Sequence, residues 1–396
     1  TLHRAIRQLP AGHFLWVDRL GAGAPRPHAS VAAALAHAPA PAGADATAQV
    51  RDALVESVRH HLVADVPVGL FLSAGVDSGT LLALMKECGY PDIRTITLAF
   101  DEFSGTPDDE APFAETVAAR YGARHVTRRV SHEEFQADLP RILAAMDQPT
   151  IDGINTWFVA KAAREQGLKV ALSGLGGDEL FGGYPSFQAI PRWVRWMAVP
   201  SRVPGAGRLV EAALRPLAGA SPKLPAMLRY GGSYAGAYLL KRGLFLPVEL
   251  RERLPREMWE DGLRRLDAVD CARRALTPDP GTAHARVTAL ESQLYMRNQL
   301  LRDSDWAAMA HSVEVRMPLV DYHLLQRLAP WIRAGAINGK AILAAVPRAP
   351  LPDAVLARRK TGFTTPIHRW LQREATRAPW ARAWAGEVMR RFGQAA

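Results

Sequence analysis

The stretch Val68-Gly-Leu-Phe-Leu-Ser-Ala-Gly-Val-Asp-Ser78, followed at once by Gly79-Thr-Leu-Leu-Ala-Leu-Met85, reads as a strand, a tight loop of small residues and a helix. The unbroken apolar run 68–72 is the pattern of a strand covered on both faces. After it, Ser73, Ala74 and Gly75 carry little or no side chain, so a ligand can approach their backbone N–H groups. Those groups lie just ahead of a helix N-terminus, where unpaired donors and the helix dipole favour an anion. Asp77 adds a carboxylate able to hold a divalent cation, and Ser78 adds a hydroxyl. An ordinary βα turn is the plain alternative. No Lys-Ser/Thr pair follows the glycine, so this is not a Walker loop.

Around this stretch the chain alternates helix and strand. Apolar residues Val50, Leu54, Val58 and Leu62 recur at helical spacing over 48–63. Strand signals follow at 93–100, 124–130 and 169–173. Helical signals lie between them at 109–121, in a segment opened by Ser131 with Glu134 three residues on, and at 155–166. Ser131 and Glu134 have the spacing of a capping box. Alternation of this kind predicts an α/β fold, a parallel sheet with helices on both faces. Ligands in such sheets sit at the carboxyl ends of the strands, where Ser73, Phe100 and Ser173 fall. Beyond about residue 188 the strand signal disappears, and runs such as 192–199, 208–217 and 287–301 predict a helical C-terminal half. Residues 20–46, rich in Ala, Pro and Gly, read as a linker that buries little. Residues 1–19, ending in a turn and a short apolar run, are too small for a domain and read as the remnant of one. The domain proper is therefore expected over 47–396.

Bulk properties narrow the function. The chain has 396 residues, 48% of them hydrophobic and 22% charged, an ordinary globular composition. No apolar run reaches membrane-spanning length. The two cysteines, Cys88 and Cys271, exclude a disulfide framework and suit a reducing, cytoplasmic setting. The net charge of +10 is spread over scattered arginines without an aromatic-interleaved basic stripe. ATP and acidic substrates account for that charge as well as nucleic acid does, and no nucleic-acid partner is expected.

Three further motifs carry chemistry. Leu172-Ser-Gly-Leu-Gly-Gly-Asp-Glu-Leu-Phe-Gly-Gly-Tyr184 repeats the strand, small-residue loop and acidic residues of the first; a loose hinge is the alternative. Two loops at two strand ends, each with an aspartate, suit one nucleotide with its magnesium. Mg²⁺ prefers one or two carboxylates plus phosphate oxygens, and Asp77 with Asp178 fits. In Asp303-Ser-Asp-Trp-Ala-Ala-Met-Ala-His-Ser-Val-Glu-Val-Arg-Met-Pro-Leu-Val-Asp321, Glu314 and Arg316 are either catalytic or paired with each other in a structural segment. In Arg358-Arg-Lys-Thr-Gly-Phe-Thr-Thr-Pro366, Lys360 is placed to stabilise charge on a carboxyl being transferred, with Lys340 a second candidate.

The first motif resembles the Ser-Gly-Gly-x-Asp-Ser pyrophosphate loop of the ATP pyrophosphatase superfamily (adenine nucleotide alpha hydrolase-like). The four motifs together, over about 50–372, resemble the synthetase domain of glutamine-dependent asparagine synthetases. The first 18 residues resemble the end of that family's glutaminase domain. The resemblance implies that ATP activates the side-chain carboxylate of aspartate as an acyl-adenylate, releasing pyrophosphate, and that ammonia displaces AMP. It implies ATP contacts from Leu72, Ser73, Gly75, Asp77 and Ser78, adenosine flanked by Leu98, Ser173 and Gly174, and Mg²⁺ on Asp77 and Asp178. Lys360 would stabilise the adenylation transition state, and Tyr184 matches a tyrosine used in related β-lactam synthetases.

The sequence departs from the family at several points. Ala74 replaces a loop glycine, at a cost of about 1 kcal/mol if φ is positive there. Leu175 stands where a glutamate contacts substrate, Trp306 where a basic residue is usual, and Ala344 where an arginine follows the lysine motif. ATP chemistry is thus expected intact and carboxylate recognition altered. The alternatives are a relative acting on another carboxylate (a β-lactam synthetase, a lasso-peptide cyclase or a polysaccharide-modifying amidotransferase) and a non-catalytic nucleotide-binding homologue. The oligomeric state, a homodimer included, stays open.

Overall fold

A computed structural model describes residues 5–43, 45–214, 223–358, 365–370 and 380–395. Its centre is a five-stranded, all-parallel sheet built from β1 (Val68–Phe71), β2 (Arg94–Phe100), β3 (Arg124–Val130), β4 (Val170–Leu172) and β5 (Glu314–Arg316), in the order β3-β2-β1-β4-β5. The chain thus winds outward from β1 in one direction and then reverses to β4. In such sheets the reversal opens a crevice at the strand ends beside the starting strand.

Alternate residues of the central strands feed two cores. Val68, Leu70, Leu72, Val170 and Leu172 pack on one face, and Phe71, Ala171, Ile96, Leu98 and Phe100 on the other. The first face is covered by α2 (Ala46–His61), α3 (Val76–Glu87), α4 (Ala111–Tyr121) and the helix Tyr322–Arg333. The second is covered by α5 (His132–Ala145), α6 (Ile154–Glu165) and the helix Arg302–Met309. The fold class expected from the alternation is the fold observed. Ser131 caps α5, accepting from the N–H of Glu134 at 3.3 Å, but Glu134 does not close a capping box. Its carboxylate pairs instead with Arg128 and, at 2.7 Å, with Lys161.

Two features depart from the expectation. The chain returns from the helical half to add β5, parallel to β4, where Ser173 N–H donates to Arg316 O at 2.9 Å. Three residues of alternating charged and apolar character carry too little pattern to announce a strand. Within the segment read as a linker, residues Val31–Ala36 form a helix, α1, capped by Ser30 and burying Ala32 and Leu35. Leu35 is fully buried in the first core, and Arg333 clamps the helix end by donating to Ala36 O and Ala38 O, each at 2.9 Å. A composition of small residues hid a packed segment whose contact face is supplied by Val31, Ala32, Ala34 and Leu35. Residues 13–27 add two short antiparallel pairings, His13–Phe14 with Arg26–Pro27 and Val17–Asp18 with Gly21–Ala22.

The helical half has smaller cores of its own around Ile190, Tyr238 and Leu290. Within it Glu291, fully buried, accepts from Ser186 Oγ (2.5 Å), Tyr238 OH (3.2 Å) and Arg242 Nε (2.9 Å). No helix among the described residues is long and apolar enough to cross a membrane.

If α1 is part of the first core, Leu35→Ala lowers the unfolding free energy by about 2–5 kcal/mol in urea titration, the range for a buried leucine. A residue in a solvated linker would change it by less than about 0.5 kcal/mol.

Candidate active site

At the carboxyl ends of β1, β2 and β4 lies a cleft of about 430 Å³, within the range of about 300–1,000 Å³ typical of small-molecule sites. Its floor is laid by Leu72 and Leu98. One wall is the β1–α3 loop with Ser73, Gly75, Asp77 and Ser78; the other is the β4 loop with Ser173, Gly174, Leu175 and Asp178. Tyr184 and Lys340 also line it. Of the sequence expectations, Lys360 with the rest of 359–364 in the fourth motif, and 215–217 of the run 208–217, lie outside the described residues. Arg358, two positions before Lys360, lines the cleft and pairs with Glu110 at 3.4 Å.

The two loops repeat one design. Gly75 caps α3, which puts Asp77 at the second helical position, and Gly176 caps the short helix α7 (Gly177–Phe181), which puts Asp178 at the same position. A carboxylate in the first turn complements the helix dipole. The β1–α3 loop is also folded on itself: Ser73 N–H donates to Ser78 Oγ at 3.1 Å and Gly75 N–H to Ser73 Oγ at 3.2 Å. Two of the N–H groups expected to face an anion are therefore engaged within the loop. Helix geometry leaves the N–H groups of the first turn of α3 without intrahelical acceptors. Ala74 does not have positive φ, so its Cβ is accommodated without strain.

The loops touch closely. A Cβ at Gly177 would stand 2.4 Å from Asp77 Oδ1, and one at Gly183 would stand 1.9 Å from Asp178 Oδ1 and 2.6 Å from Lys340 Cε. Lys340 enters from the C-terminal part of the chain, and its ammonium bridges the two aspartates, pairing with Asp77 and, at 2.5 Å, with Asp178 Oδ1. Burial opposes that charge, but Asp77 and Asp178 outweigh it and hold the Lys340 pKa above its ordinary value.

Beside this trio sits a further, fully buried acid. Glu179, 1% exposed, accepts from Tyr184 OH at 2.8 Å through Oε1, and its Oε2 has no hydrogen-bond partner among the described residues. Burial pushes its pKa up to about 7; the Tyr184 hydrogen bond works against the shift, and Asp178 adds to it. Asp303, also on the cleft, is pushed up to about 6 by burial, against donors Thr150 Oγ1 (2.7 Å) and Trp306 Nε1 (3.2 Å). Glu179, Asp303 and Tyr295 were not singled out as site residues. Glu179 follows Asp178 directly, which was a usable signal, whereas Tyr295 sits in a run that read only as helix.

The structure decides between the readings of the third motif. Val315 faces the cleft, while Arg316 pairs with Glu314 at 2.7 Å and donates to His61 O (2.9 Å) and Val63 O (2.7 Å). Glu314 and Arg316 are structural. Trp306 is buried in the second core against Trp157, beneath Gly153, where a Cβ would stand 2.5 Å from its ring.

Against protein-family models, residues 49–389 match the asparagine synthase family. The chain belongs to that family. It is 28% identical over 341 residues to asparagine synthetase [glutamine-hydrolyzing] 1 of Bacillus subtilis, covering 82% of this chain and 50% of the relative. It is 31% identical over 409 residues to a putative asparagine synthetase [glutamine-hydrolyzing] of Mycobacterium tuberculosis, covering 98% of this chain and 58% of the relative. Asparagine synthetase B [glutamine-hydrolyzing] of Escherichia coli is 27% identical over 205 residues, 48% of this chain and 35% of the relative. The chain thus spans about half the length of the first two relatives.

The acid pair yields a prediction for pH. The folded state disfavours ionised Glu179, so it costs stability as pH rises from about 4.5 to about 7, and the cost stays constant above that. Glu179→Gln therefore gains stability relative to the parent across that window, by on the order of 3 kcal/mol at its upper end. Denaturant titrations of both proteins at pH 5 and pH 8 check it; an equal difference at both pH values contradicts the assignment.

Proposed function

We propose that this asparagine synthase-family chain is an ATP- and Mg²⁺-dependent amide-forming ligase. It adenylates a carboxylate, aspartate by family resemblance, with release of pyrophosphate, and ammonia then displaces AMP. The observation that carries this reading is the meeting of two glycine-capped helix starts at one cleft, each presenting an aspartate to a single cation.

The donor set suits magnesium. Two carboxylates converge where neighbouring glycines leave no room for a Cβ. No group of three or more His, Cys, Asp or Glu side chains converges among the described residues. The remaining coordination positions would fall to phosphate oxygens and water, as Mg²⁺ prefers. When bound, the ion would neutralise charge on the phosphates. The first turn of α3 offers N–H donors to the same phosphates. Leu72 and Leu98 form an apolar floor for adenine, and Gly174 lets the ring approach backbone. Lys340 supplies positive charge between the loops, which would help stabilise charge developing on pyrophosphate. Lys360 is proposed for the adenylation transition state on the resemblance alone. Tyr184, held by Glu179, is placed to orient the acyl group.

Leu175 favours a second reading of the substrate. It puts an apolar side chain on the cleft wall where the family uses a glutamate against aspartate, which supports a carboxylate other than free aspartate.

Pyrophosphate release with ATP, Mg²⁺, ammonium and a panel of carboxylates tests the reaction. Asp77→Asn is expected to lower it at least 100-fold without unfolding the protein, because Asp178 still pairs with Lys340. Near-normal turnover by this variant removes the magnesium assignment.

A further inference from the structure

A second cavity, of about 670 Å³, adjoins the cleft and shares Tyr295 with it as a wall. The partition comes from Glu291–Leu301, which winds as a π-helix. Long π segments are rare and concentrate at functional sites. Residues five apart stack in such a helix. Tyr295 and Leu300 accordingly line the cleft, while Leu294 and Gln299 line the second cavity. Gln299 Nε2 reaches Asp152 Oδ2, on the cleft side, at 3.2 Å. The two spaces are thus separated by single side chains.

The charged groups lining the second cavity are all arginines: Arg242, Arg274, Arg297 and Arg302. Arg242 is committed to Glu291 and lies over the rings of Tyr295 (3.8 Å) and Tyr184 (4.4 Å). Arg274 pairs with Asp270. Among the described residues Arg302 has a long ion-pair contact, 3.4 Å, to Asp303. Arg297 pairs with no carboxylate among the described residues; its Nε donates to Asn298 Oδ1 at 3.1 Å. Arg297 is exposed, so this open cavity presents solvent-facing guanidinium donors to an anion, and guanidinium matches carboxylate and phosphate geometry.

We infer that the second cavity binds a further anionic group of the carboxylate substrate, which is an acidic molecule larger than aspartate. Its reacting carboxylate lies in the cleft, and a second carboxylate or phosphate reaches past Tyr295 to Arg297 and Arg302. The inference rests on the adenylation reading for the identity of the reacting group. It also accounts for Leu175: recognition moves from the loop beside the reacting carboxylate to the arginines behind it.

Calorimetry on the full chain tests this with three probes: acetate, the α,ω-dicarboxylates from succinate to azelate, and ω-phosphonocarboxylates of matching length. Longer dianions are expected to bind at least tenfold tighter than succinate or acetate. Arg297→Ala is expected to remove that advantage and Arg297→Lys to restore part of it, with acetate and MgATP affinities unchanged in both. The phosphonate series tells which anion is preferred. Equal binding of short and long acids, or long-acid binding indifferent to Arg297→Ala, overturns the inference. MgATP binding is read separately. Its absence overturns the adenylation reading, while the dianion series still decides whether the cavity takes an anion.

Discussion

The shared ammonium of Lys340 is the interaction on which the site depends. Asp77 and Asp178 come from loops about a hundred residues apart, and both carboxylates are largely buried at the mouth of the sheet. Two like charges in such a place repel unless a cation lies between them. Lys340 is that cation, and it arrives from a third segment anchored to α3, where Thr80 Oγ1 donates to Leu343 O at 3.3 Å. The glycines at 177 and 183 follow from the same demand, since any side chain there would displace the carboxylates the lysine holds. What read as a composition bias in the second loop is a requirement for clearance.

Much of this was legible in the sequence because it was written locally. The strand–loop–helix of 68–85 has a hydrophobic period, a small-residue loop and an acidic first turn within eighteen residues, and the structure reproduces it nearly residue for residue. The second loop was legible for the same reason. What stayed hidden depends on distant partners. Residues Glu314–Arg316 become a strand only because β4 lies alongside. Val31–Ala36 becomes part of a core only because Tyr322–Arg333 and Arg333's donors receive it. Glu179 becomes an unusual acid only through burial, which no neighbour in sequence reports. The π-helical winding of Glu291–Leu301 has no signature in its composition, and it turns Tyr295 into a partition between two cavities.

The departures from the family sort themselves by depth. Ala74 sits in ordinary backbone geometry and changes little. Trp306 is absorbed into the second core, where Gly153 makes room and Asp303 accepts from its ring nitrogen. Ala74 and Leu175 both line the cleft, and Leu175 brings the larger apolar side chain to it. Of the four departures, Trp306 is a matter of packing and Leu175 a matter of recognition.

The position of β5 has a consequence for how the chain acquires its structure. β4 ends at Leu172 and its neighbour begins at Glu314, so much of the helical half must be traversed before the sheet is complete. Pairings so remote in sequence are closed late, because the entropy of the intervening loop must be overcome first. Until then β4 is an open edge carrying a glycine-rich loop, a template for pairing with other chains. Assembly of the second cleft wall, and with it the whole site, therefore waits on the last third of the polypeptide.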